Sequence, residues 1–349
     1  MSASARPVAL VTNVVPDYRR EPFRLLHEAE GVEVIAWGEP GASQRDAVRA
    51  LASRRHRAVI AGLGGRLALP GAYAAARRNR IPFVLWASLW DHPRTLAHRL
   101  SALPMRAIYR GADAVVTYGP HVTRYVERRR ANAGNVFEAP QAVDSAHFGR
   151  PVTREERAAA RARAGAAEDG FLLLFAGRLE REKGIDVLID AWRRADLPPG
   201  AAIAFAGDGP LRGRAGDTPR ATALGRVDRA DLPALYAAAD ALVLPSIRTA
   251  TFAEPWGLVT NEAMHQGTPV ITSDAVGAAA GGLVVDGRNG MVVPQGDADA
   301  LATRIRALAT NADLRMRLGE RAREDVAPYT FQAWTAGMRD ALTAVGAGR

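Results

Sequence analysis

Short apolar runs alternate with charged, amphipathic stretches along the whole chain. In the first half we predict six strands, at residues 8–12, 32–37, 58–61, 82–87, 114–117 and 136–139. In the second half we predict six more, at residues 171–176, 202–206, 222–224, 241–244, 269–272 and 283–285. Helical stretches such as 66–80 and 121–130 lie between them. Strands that are apolar throughout and alternate with amphipathic helices indicate an α/β protein with parallel sheets covered on both faces.

The length of the chain predicts more than one domain. A chain of 349 residues exceeds the size at which a single core usually stops growing. A charged helical segment followed by Ala-Glu-Asp-Gly falls in residues 150–169, which favours a linker there. We therefore predict a first domain at 1–165, a second at 166–327 and a terminal amphipathic helix at 328–349.

Composition narrows the class of protein. No apolar run approaches the roughly 18 residues that a membrane-spanning helix needs. The first residues lack the apolar core of a signal peptide and predict a strand instead. Because there are no cysteines, disulfides and thiolate metal sites are excluded, in agreement with a reducing cytoplasm. The sequence therefore predicts a globular cytoplasmic protein.

The charge is unevenly divided along the chain. Residues 1–165 hold 26 arginines and 14 acidic residues, a net charge of +12, whereas the remainder holds 20 basic and 23 acidic residues, a net charge of −3. A basic first domain is typical of a protein that meets an anionic substrate or surface, and equally of a well-solvated arginine-rich face. Both interpretations stay open from composition alone.

The first candidate site surrounds Lys183, the only lysine among the 46 lysine and arginine residues. It lies in the segment 177–184, directly after the predicted strand at 171–176. Gly177 permits a sharp turn close to a ligand, Arg178 offers a bidentate fork, and Lys183 is a compact ammonium that opens the next helix. Two cations at a strand-to-helix turn suit a diphosphate, although a cluster of charges that merely opens a helix has the same sequence.

The second candidate site carries two carboxylates eight residues apart. Pro255 and Gly257 follow Glu254 and precede a helix that we predict from about Leu258. The N–H groups in the first turn of a helix have no partner within it and attract an anion. Glu262 falls on the same face of this helix as Leu258, about 6 Å further along the helix axis. The spacing therefore predicts a phosphate at the helix tip and a ribose at Glu262, with Glu254 facing the group beyond the phosphates.

These motifs and four further segments, at 207–211, 225–227, 267–270 and 286–290, occur in the order found in retaining glycosyltransferases of family 4. The chain resembles that family over essentially its whole second half, and the Glu-x7-Glu element is the family's specific motif. The resemblance implies the GT-B fold, in which two Rossmann-like domains face each other across a cleft and a C-terminal helix crosses back to the first. It implies a donor on the second domain, an acceptor on the first, and no obligatory metal or cofactor besides the nucleotide-diphosphate sugar as co-substrate.

The same resemblance assigns residues to the donor. Arg178 and Lys183 are expected to hold the diphosphate, Glu262 the ribose, and Glu254 the hydroxyls of the donor sugar. The rest of the expected donor set comprises Gly177, Gly207, Gly209, Trp256, the backbone N–H groups of Gly257, Leu258 and Val259, and the turn at Arg226 and Val227 beside the base.

The first half resembles the family less. Residues 13–19 lack the glycine pair that many members carry, and Gln141 stands where asparagine is typical. The histidine that ends the fourth strand in many members falls here on Ser88, with His92 four residues later. The expected catalytic residues are Glu254, Arg178, Lys183 and His92, and the expected acceptor-side residues are Tyr18, Arg19, Ser88 and Tyr118.

The implied reaction retains the configuration of the anomeric carbon. The acceptor hydroxyl attacks from the face that the phosphate leaves, a phosphate oxygen takes its proton, and the cations stabilise the departing diphosphate. Glu254 is not assigned as a nucleophile.

Other enzymes of related chemistry stay open as alternatives. They are a nucleotide-sugar epimerase, a DNA-modifying glycosyltransferase and a sugar phosphorylase of the same fold. The phosphorylase would need pyridoxal phosphate on Lys183.

No basic groove interleaved with aromatic residues is apparent, so we expect no nucleic-acid partner. The expected acceptor is a small molecule, a glycan or a lipid-linked sugar, with peripheral contact at an anionic inner membrane face. Charge asymmetry favours an acceptor that is itself anionic.

Overall fold

The computed structural model describes residues 6–91, 95–130 and 134–349, without the side chains of residues 96–101. His92 therefore lies outside the described residues, and its expected role stays a prediction. The chain forms two compact units: Met1–Gln141 together with Tyr329–Arg349 (unit 1), and Ala142–Pro328 (unit 2). No helix among the described residues is both long and apolar enough to cross a membrane.

Unit 1 is built on a six-stranded parallel sheet with strand order β2-β1-β3-β4-β5-β6. Its strands are β1 (Val8–Thr12), β2 (Val32–Ala36), β3 (Ala58–Gly62), β4 (Phe83–Ala87), β5 (Ala114–Thr117) and β6 (Val136–Glu138). Its helices are α1 (Asp17–Glu30), α2 (Gln44–Leu51), α3 (Ala68–Asn79), α4 (Leu96–Gly111), α5 (Pro120–Glu127) and the C-terminal α15 (Phe331–Ala344). The six strands predicted for the first half are confirmed, and the four central ones, β1, β3, β4 and β5, are almost entirely buried, as expected for strands covered on both faces.

Unit 2 contains a second six-stranded parallel sheet, with order β12-β11-β10-β7-β8-β9. Its strands are β7 (Leu172–Ala176), β8 (Ala202–Ala206), β9 (Ala221–Gly225), β10 (Ala241–Leu244), β11 (Val270–Ser273) and β12 (Gly290–Val293). Its helices are α6 (Ser145–Phe148), α7 (Arg154–Arg163), α8 (Ile185–Arg194), α9 (Arg212–Gly216), α10 (Leu232–Ala238), α11 (Val259–His265), α12 (Gly277–Ala280), α13 (Ala298–Thr310) and α14 (Ala312–Val326).

One predicted strand, at residues 283–285, is wrong. Leu283 and Val284 are buried, but their backbone N–H groups both donate to the carbonyl of Ala278 instead of to a neighbouring strand. Asn289 holds the segment as a loop, since its side chain accepts from the N–H of Val285 and donates to the carbonyl of Leu283. The sixth strand is β12, which pairs with β11 instead.

The boundary between the units lies earlier than the predicted end of the first domain at residue 165. Residues 142–165 belong to unit 2 because their polar side chains are satisfied there. Arg229 pairs with Asp144 at 3.0 Å, and the Arg161 guanidinium donates to the carbonyl of Ala238 at 2.7 Å and pairs with Asp240 at 3.2 Å. The charged segment that favoured a linker is thus a docked helix, α7.

The C-terminal helix α15 packs into unit 1. Trp334 is fully buried there, with its ring 5.8 Å from that of Phe23 and 5.7 Å from that of Trp86. The buried carboxylate of Glu30 in α1 accepts from Arg339 at 3.0 Å and from Arg57 at 3.1 Å. The chain therefore leaves unit 1 after Gln141 and returns to it at Tyr329.

Candidate functional site

The candidate site of unit 2 lies where the strand order of its sheet reverses. Strand β7 is flanked by β10 and β8, so the sheet is extended from β7 in both directions. In open parallel sheets, ligands bind beyond the carboxyl ends of the strands at such a switch point. The segments that follow β7 and β10 carry the predicted Lys183 and Glu254.

Lys183 and Glu254 form an ion pair. The Lys183 ammonium donates to Oε2 of Glu254, which also accepts from the Ser246 hydroxyl at 3.1 Å. The lysine and glutamate side chains are only 13% and 8% exposed, and the ammonium lies 5.1 Å from the ring centre of Phe252. The two motifs that the sequence placed 71 residues apart are therefore one cluster.

Gly184 explains how the two segments come so close. Its φ is +73°, and a Cβ at this position would lie 2.0 Å from the carbonyl oxygen of Pro245, which follows β10. The N–H of Ile247 also donates to the carbonyl of Glu182 at 2.9 Å. Only glycine allows this approach of two backbones, so the Lys-Gly dipeptide positions the ammonium against the segment after β10.

Arg178 lies in the same loop and is exposed. Its guanidinium pairs with Glu180 and, at 3.6 Å, with Glu182, and its side chain is 59% exposed. Two local carboxylates thus hold the guanidinium. Since exposed ion pairs contribute little, they hold it only weakly.

The glycines of the expected donor set line two adjoining loops. Gly177 follows β7, and Gly207 and Gly209 follow β8. A Cβ on Gly207, whose φ is +152°, would lie 1.8 Å from the carbonyl oxygen of Gly177. The observed role of Gly207 is therefore to let the two loops touch.

Glu262 is half-buried on α11 and accepts a hydrogen bond from the hydroxyl of Tyr236, which is fully buried. Burial raises the pKa of Glu262 to about 7, while Tyr236 and Arg229 oppose that rise. Near neutral pH the carboxyl group therefore exists in both protonation states. A carboxylate that accepts two ribose hydroxyls needs the ionised form.

The segment between the two glutamates is anchored to the core. Trp256 is buried, and its indole N–H donates to the side chain of Asn261 at 2.7 Å. Helix α11 begins at Val259, one residue later than predicted, after Gly257 and Leu258. The structure therefore assigns the Trp256 side chain a supporting role, and leaves the backbone of residues 257–259 as the part of this segment that is expected to meet a donor.

Arg226 and Val227, the expected neighbours of the base, directly follow β9. Arg226 is exposed and Val227 is half-buried. They lie at the same edge of the sheet as the other candidate residues.

Residues 156–325 match the family model described as glycosyl transferases group 1. This segment is a group 1 glycosyltransferase domain. It lies within unit 2 and contains the Lys183–Glu254 pair and Glu262.

Two related proteins are similar to the chain over more than this domain. The D-inositol 3-phosphate glycosyltransferase of Stackebrandtia nassauensis is 33% identical over 258 residues, which make up 67% of this chain and 54% of that protein. The sulfoquinovosyl transferase of Arabidopsis thaliana is 29% identical over 291 residues, which make up 77% of this chain and 53% of that protein. The chain thus spans about half the length of either relative.

Solved structures confirm the predicted fold class. HepE of Anabaena, solved in complex with UDP, has a TM-score of 0.77 at 20% identity. The match covers 97% of this chain and 100% of the HepE chain. The sucrose-phosphate synthase of Thermosynechococcus elongatus has a TM-score of 0.74 at 22% identity, with coverages of 98% and 99%. The chain has the two-domain α/β fold of GT-B glycosyltransferases.

Outside the glycosyltransferase domain, the four expected acceptor-side residues line one cavity in unit 1. Tyr18, Arg19, Ser88 and Tyr118 surround a volume of about 170 Å³ at the carboxyl ends of its strands. Their convergence was not implied by spacing, because Tyr18 and Arg19 lie in the first turn of α1, whereas Ser88 follows β4 and Tyr118 follows β5.

Two residues that contact the candidate carboxylates in the glycosyltransferase domain were missed. Ser246, which binds Glu254, is a polar residue two positions beyond β10, and its place after a buried strand is a signal that could have found it. Tyr236, which binds Glu262, lies on α10 and has no such signal, since nothing in its spacing distinguishes it from a core aromatic residue.

Proposed function

We propose that the chain is a retaining glycosyltransferase that moves a sugar from a nucleoside diphosphate donor to an acceptor hydroxyl without a metal ion. The observation that carries this proposal is the Lys183–Glu254 pair, held by Ser246 at the switch point of a group 1 glycosyltransferase domain.

In this proposal Lys183, Arg178 and Glu254 bind different parts of the donor. The Lys183 ammonium would leave Glu254 in part to meet the diphosphate, where negative charge develops as the bond to the sugar breaks. Arg178 would join it by exchanging its local carboxylates for a phosphate oxygen. Glu254, released from part of its ion pair, would accept hydrogen bonds from the sugar hydroxyls.

The route of the acceptor's proton is the one implied by the resemblance to retaining glycosyltransferases. The acceptor hydroxyl attacks the anomeric carbon from the face that the diphosphate leaves, and its proton passes to a phosphate oxygen of the leaving group. No protein group needs to act as the base in this scheme. The configuration at the anomeric carbon is therefore retained.

A donor-binding experiment followed by a transfer assay tests the proposal. UDP, GDP, ADP and dTDP are screened for an increase in melting temperature, with UDP first because HepE was solved with it. A ligand at 100 times its Kd stabilises a protein by about 2.7 kcal/mol. The corresponding sugar donors are then incubated with the enzyme, in EDTA and in magnesium, and the anomeric proton of the released or transferred sugar is read by NMR.

We expect one nucleotide to stabilise the protein, donor turnover to persist in EDTA, and the product to keep the donor's anomeric configuration. Inverted product would contradict the retaining mechanism, and turnover only with magnesium would contradict metal independence. No stabilisation by any of the nucleotides, together with no donor turnover, would reject the function as a whole.

A further inference from the structure

The cavity of about 170 Å³ in unit 1 (the Arg19 cavity) lies at the switch point of its sheet. Its lining includes Asn13 after β1, Leu63 after β3, and Trp86 and Ser88 at and after the end of β4. Strand β1 is flanked by β2 and β3, so the strand order reverses there. This is the place in an open parallel sheet where a ligand is expected.

Arg19 brings a buried positive charge to this cavity. The residue is 4% exposed, and its guanidinium carbon lies 4.8 Å from the ring centre of Trp86 and 5.6 Å from that of Tyr118. A third ring, Trp334 of α15, lies 5.5 Å from the same carbon. The guanidinium is therefore enclosed by aromatic faces.

The hydrogen-bond partners of Arg19 leave its charge uncompensated. Its side chain donates to the amide oxygen of Gln141, which orients the guanidinium but carries no charge. No carboxylate in the part of the chain with described side chains lies within ion-pair distance of Arg19. By contrast, Arg57 and Arg161, the other arginines buried in the described structure, each pair with a carboxylate.

A buried cation without a counter-charge is costly, and aromatic faces compensate only part of the cost. A guanidinium has five N–H donors in a planar fork that matches the oxygens of a carboxylate or a phosphate. An oxyanion in the adjoining cavity would provide the missing charge and accept the remaining N–H groups. Asp17 and Glu21, the two acidic residues closest in sequence, are paired with Arg20 and Arg24 instead.

We propose that the Arg19 cavity binds an oxyanion, a phosphate or carboxylate group carried by the acceptor. This inference rests on the proposed transferase function and assigns the chemistry of its acceptor. The aromatic walls contact the carbon skeleton next to the anionic group, while Ser88, also in the lining, offers a hydroxyl.

The test titrates the full chain with inorganic phosphate and, separately, with acetate, following heat by calorimetry in about 0.15 M salt. Saturating UDP occupies the cations near Lys183, so that binding there does not contribute. Arg19→Gln removes the buried charge. Arg20→Gln, its exposed neighbour on the same helical turn, is the matched control.

We expect the wild-type chain and Arg20→Gln to bind one of the two anions, and Arg19→Gln to bind it at least tenfold more weakly. Tighter binding of phosphate assigns a phosphorylated acceptor, and tighter binding of acetate assigns a carboxylate. Equal affinity in the wild-type chain and Arg19→Gln, or no binding of either anion to the wild-type chain, overturns the proposal.

A second variant covers the case in which Arg19→Gln does not fold. Ser88→Asp keeps Arg19 and adds a carboxylate to the cavity wall, so it should fold and lose anion binding. Unchanged phosphate affinity in Ser88→Asp also overturns the proposal. If UDP does not bind at all, the titration is run in Lys183→Met, so that failure of the proposed donor site and failure of the anion site are read separately.

Discussion

Lys183 and Glu254 neutralise each other across 71 residues of sequence, in a cluster that Gly184 brings together. Both were predicted to contact the donor, and in the structure they contact each other. If a diphosphate sugar binds as proposed, this ion pair must therefore rearrange. Both side chains are largely buried, so a change that takes the partner from either one leaves its charge with less compensation.

The first prediction concerns Lys183. Lys183→Met should lower donor turnover more than tenfold, because it removes charge stabilisation from the departing diphosphate. Lys183→Arg should also be impaired, since a planar fork does not fit the place of a compact ammonium beside Phe252. Turnover is measured as donor hydrolysis, which requires no known acceptor.

Arg181→Met is the control for that experiment. Arg181 is an exposed cation in the same short 3₁₀ turn, Arg181–Lys183. The Arg181→Met variant should keep near-normal turnover. Near-normal turnover in Lys183→Met, with an unchanged melting temperature, would remove the assignment of Lys183 to the diphosphate.

Arg178→Ala should also lower donor turnover more than tenfold, measured in the same assay.

The second prediction separates the two glutamates. Glu262→Ala should mainly weaken nucleotide affinity, because the ribose is present equally in ground and transition states. Glu254→Ala should mainly lower kcat, because its partner is the sugar that is transferred. Calorimetry with the nucleotide and initial rates with its sugar distinguish the two effects. Equal losses of nucleotide affinity in both variants would show that the roles are misassigned.

The third prediction is a pH dependence of nucleotide binding. With a pKa of about 7, Glu262 is protonated at pH 6 and ionised at pH 8. Nucleotide affinity should therefore rise between pH 6 and pH 8, because only the carboxylate accepts both ribose hydroxyls. Glu262→Gln corrects for titration of the nucleotide itself. A pH profile that is the same in Glu262→Gln and the wild-type chain would contradict the assignment.

The stability of the unliganded protein should respond to Glu262 in the opposite direction. Its pKa is raised from 4.5 to about 7 in the folded state. Its contribution to stability is therefore fully present below about pH 4.5 and is lost as the pH rises through 7. Comparing urea unfolding of the wild-type chain and Glu262→Gln over this range isolates the contribution.

The fourth prediction concerns the buried carboxylate that holds α15. Glu30→Ala leaves the buried guanidinium of Arg57 without its ion pair and should lower the free energy of unfolding by about 3–5 kcal/mol. Glu28→Ala, which removes an exposed partner of Arg24 from the same helix, should cost less than about 1 kcal/mol. Urea unfolding measures both free energies. Equal losses in the two variants would contradict the stabilising role of the buried Glu30 carboxylate.

The fifth prediction concerns the charge of unit 1. With its C-terminal segment, unit 1 holds 23 arginines and 12 acidic residues, a net charge of +11, whereas unit 2 has a net charge of −2. We expect the protein to sediment with vesicles that contain anionic lipid at low salt, and much less at high salt or with neutral vesicles. No salt-sensitive binding, together with full transfer to a neutral soluble acceptor, would leave the arginine excess as a solubility feature.

Most of the strands were predictable because they are apolar along nearly their whole length, although β2 contains Glu33 and β6 ends in Glu138. All five residues of β4 and of β8 are buried, so a continuous run indicates the element directly. The same logic failed at Leu283 and Val284, since a buried loop can have the same apolar run as a strand. A run of three residues does not distinguish the two.

The site was predictable where a motif combines several unusual residues, and not where packing decides. Lys183 and Glu254 stood out in the sequence, but their ion pair depends on how closely the segments after β7 and β10 approach. The bond from Tyr236 to Glu262 depends on the packing of α10 beside α11. The division between the units also depends on packing, because the capping box of Thr153 and Glu156 begins a helix without revealing which unit it packs in.

The return of the chain to unit 1 at Tyr329 makes unit 2 an uninterrupted insertion within unit 1. Cutting the chain after Gln141 would not yield a separate first half, because Trp334 would be lost from its place beside Phe23 and Trp86. To exchange the proposed donor site between two such proteins, residues 142–328 would instead be transferred as one segment. Such a chimera needs two junctions, one at each end of this segment, and it retains the C-terminal helix of the protein that receives the segment.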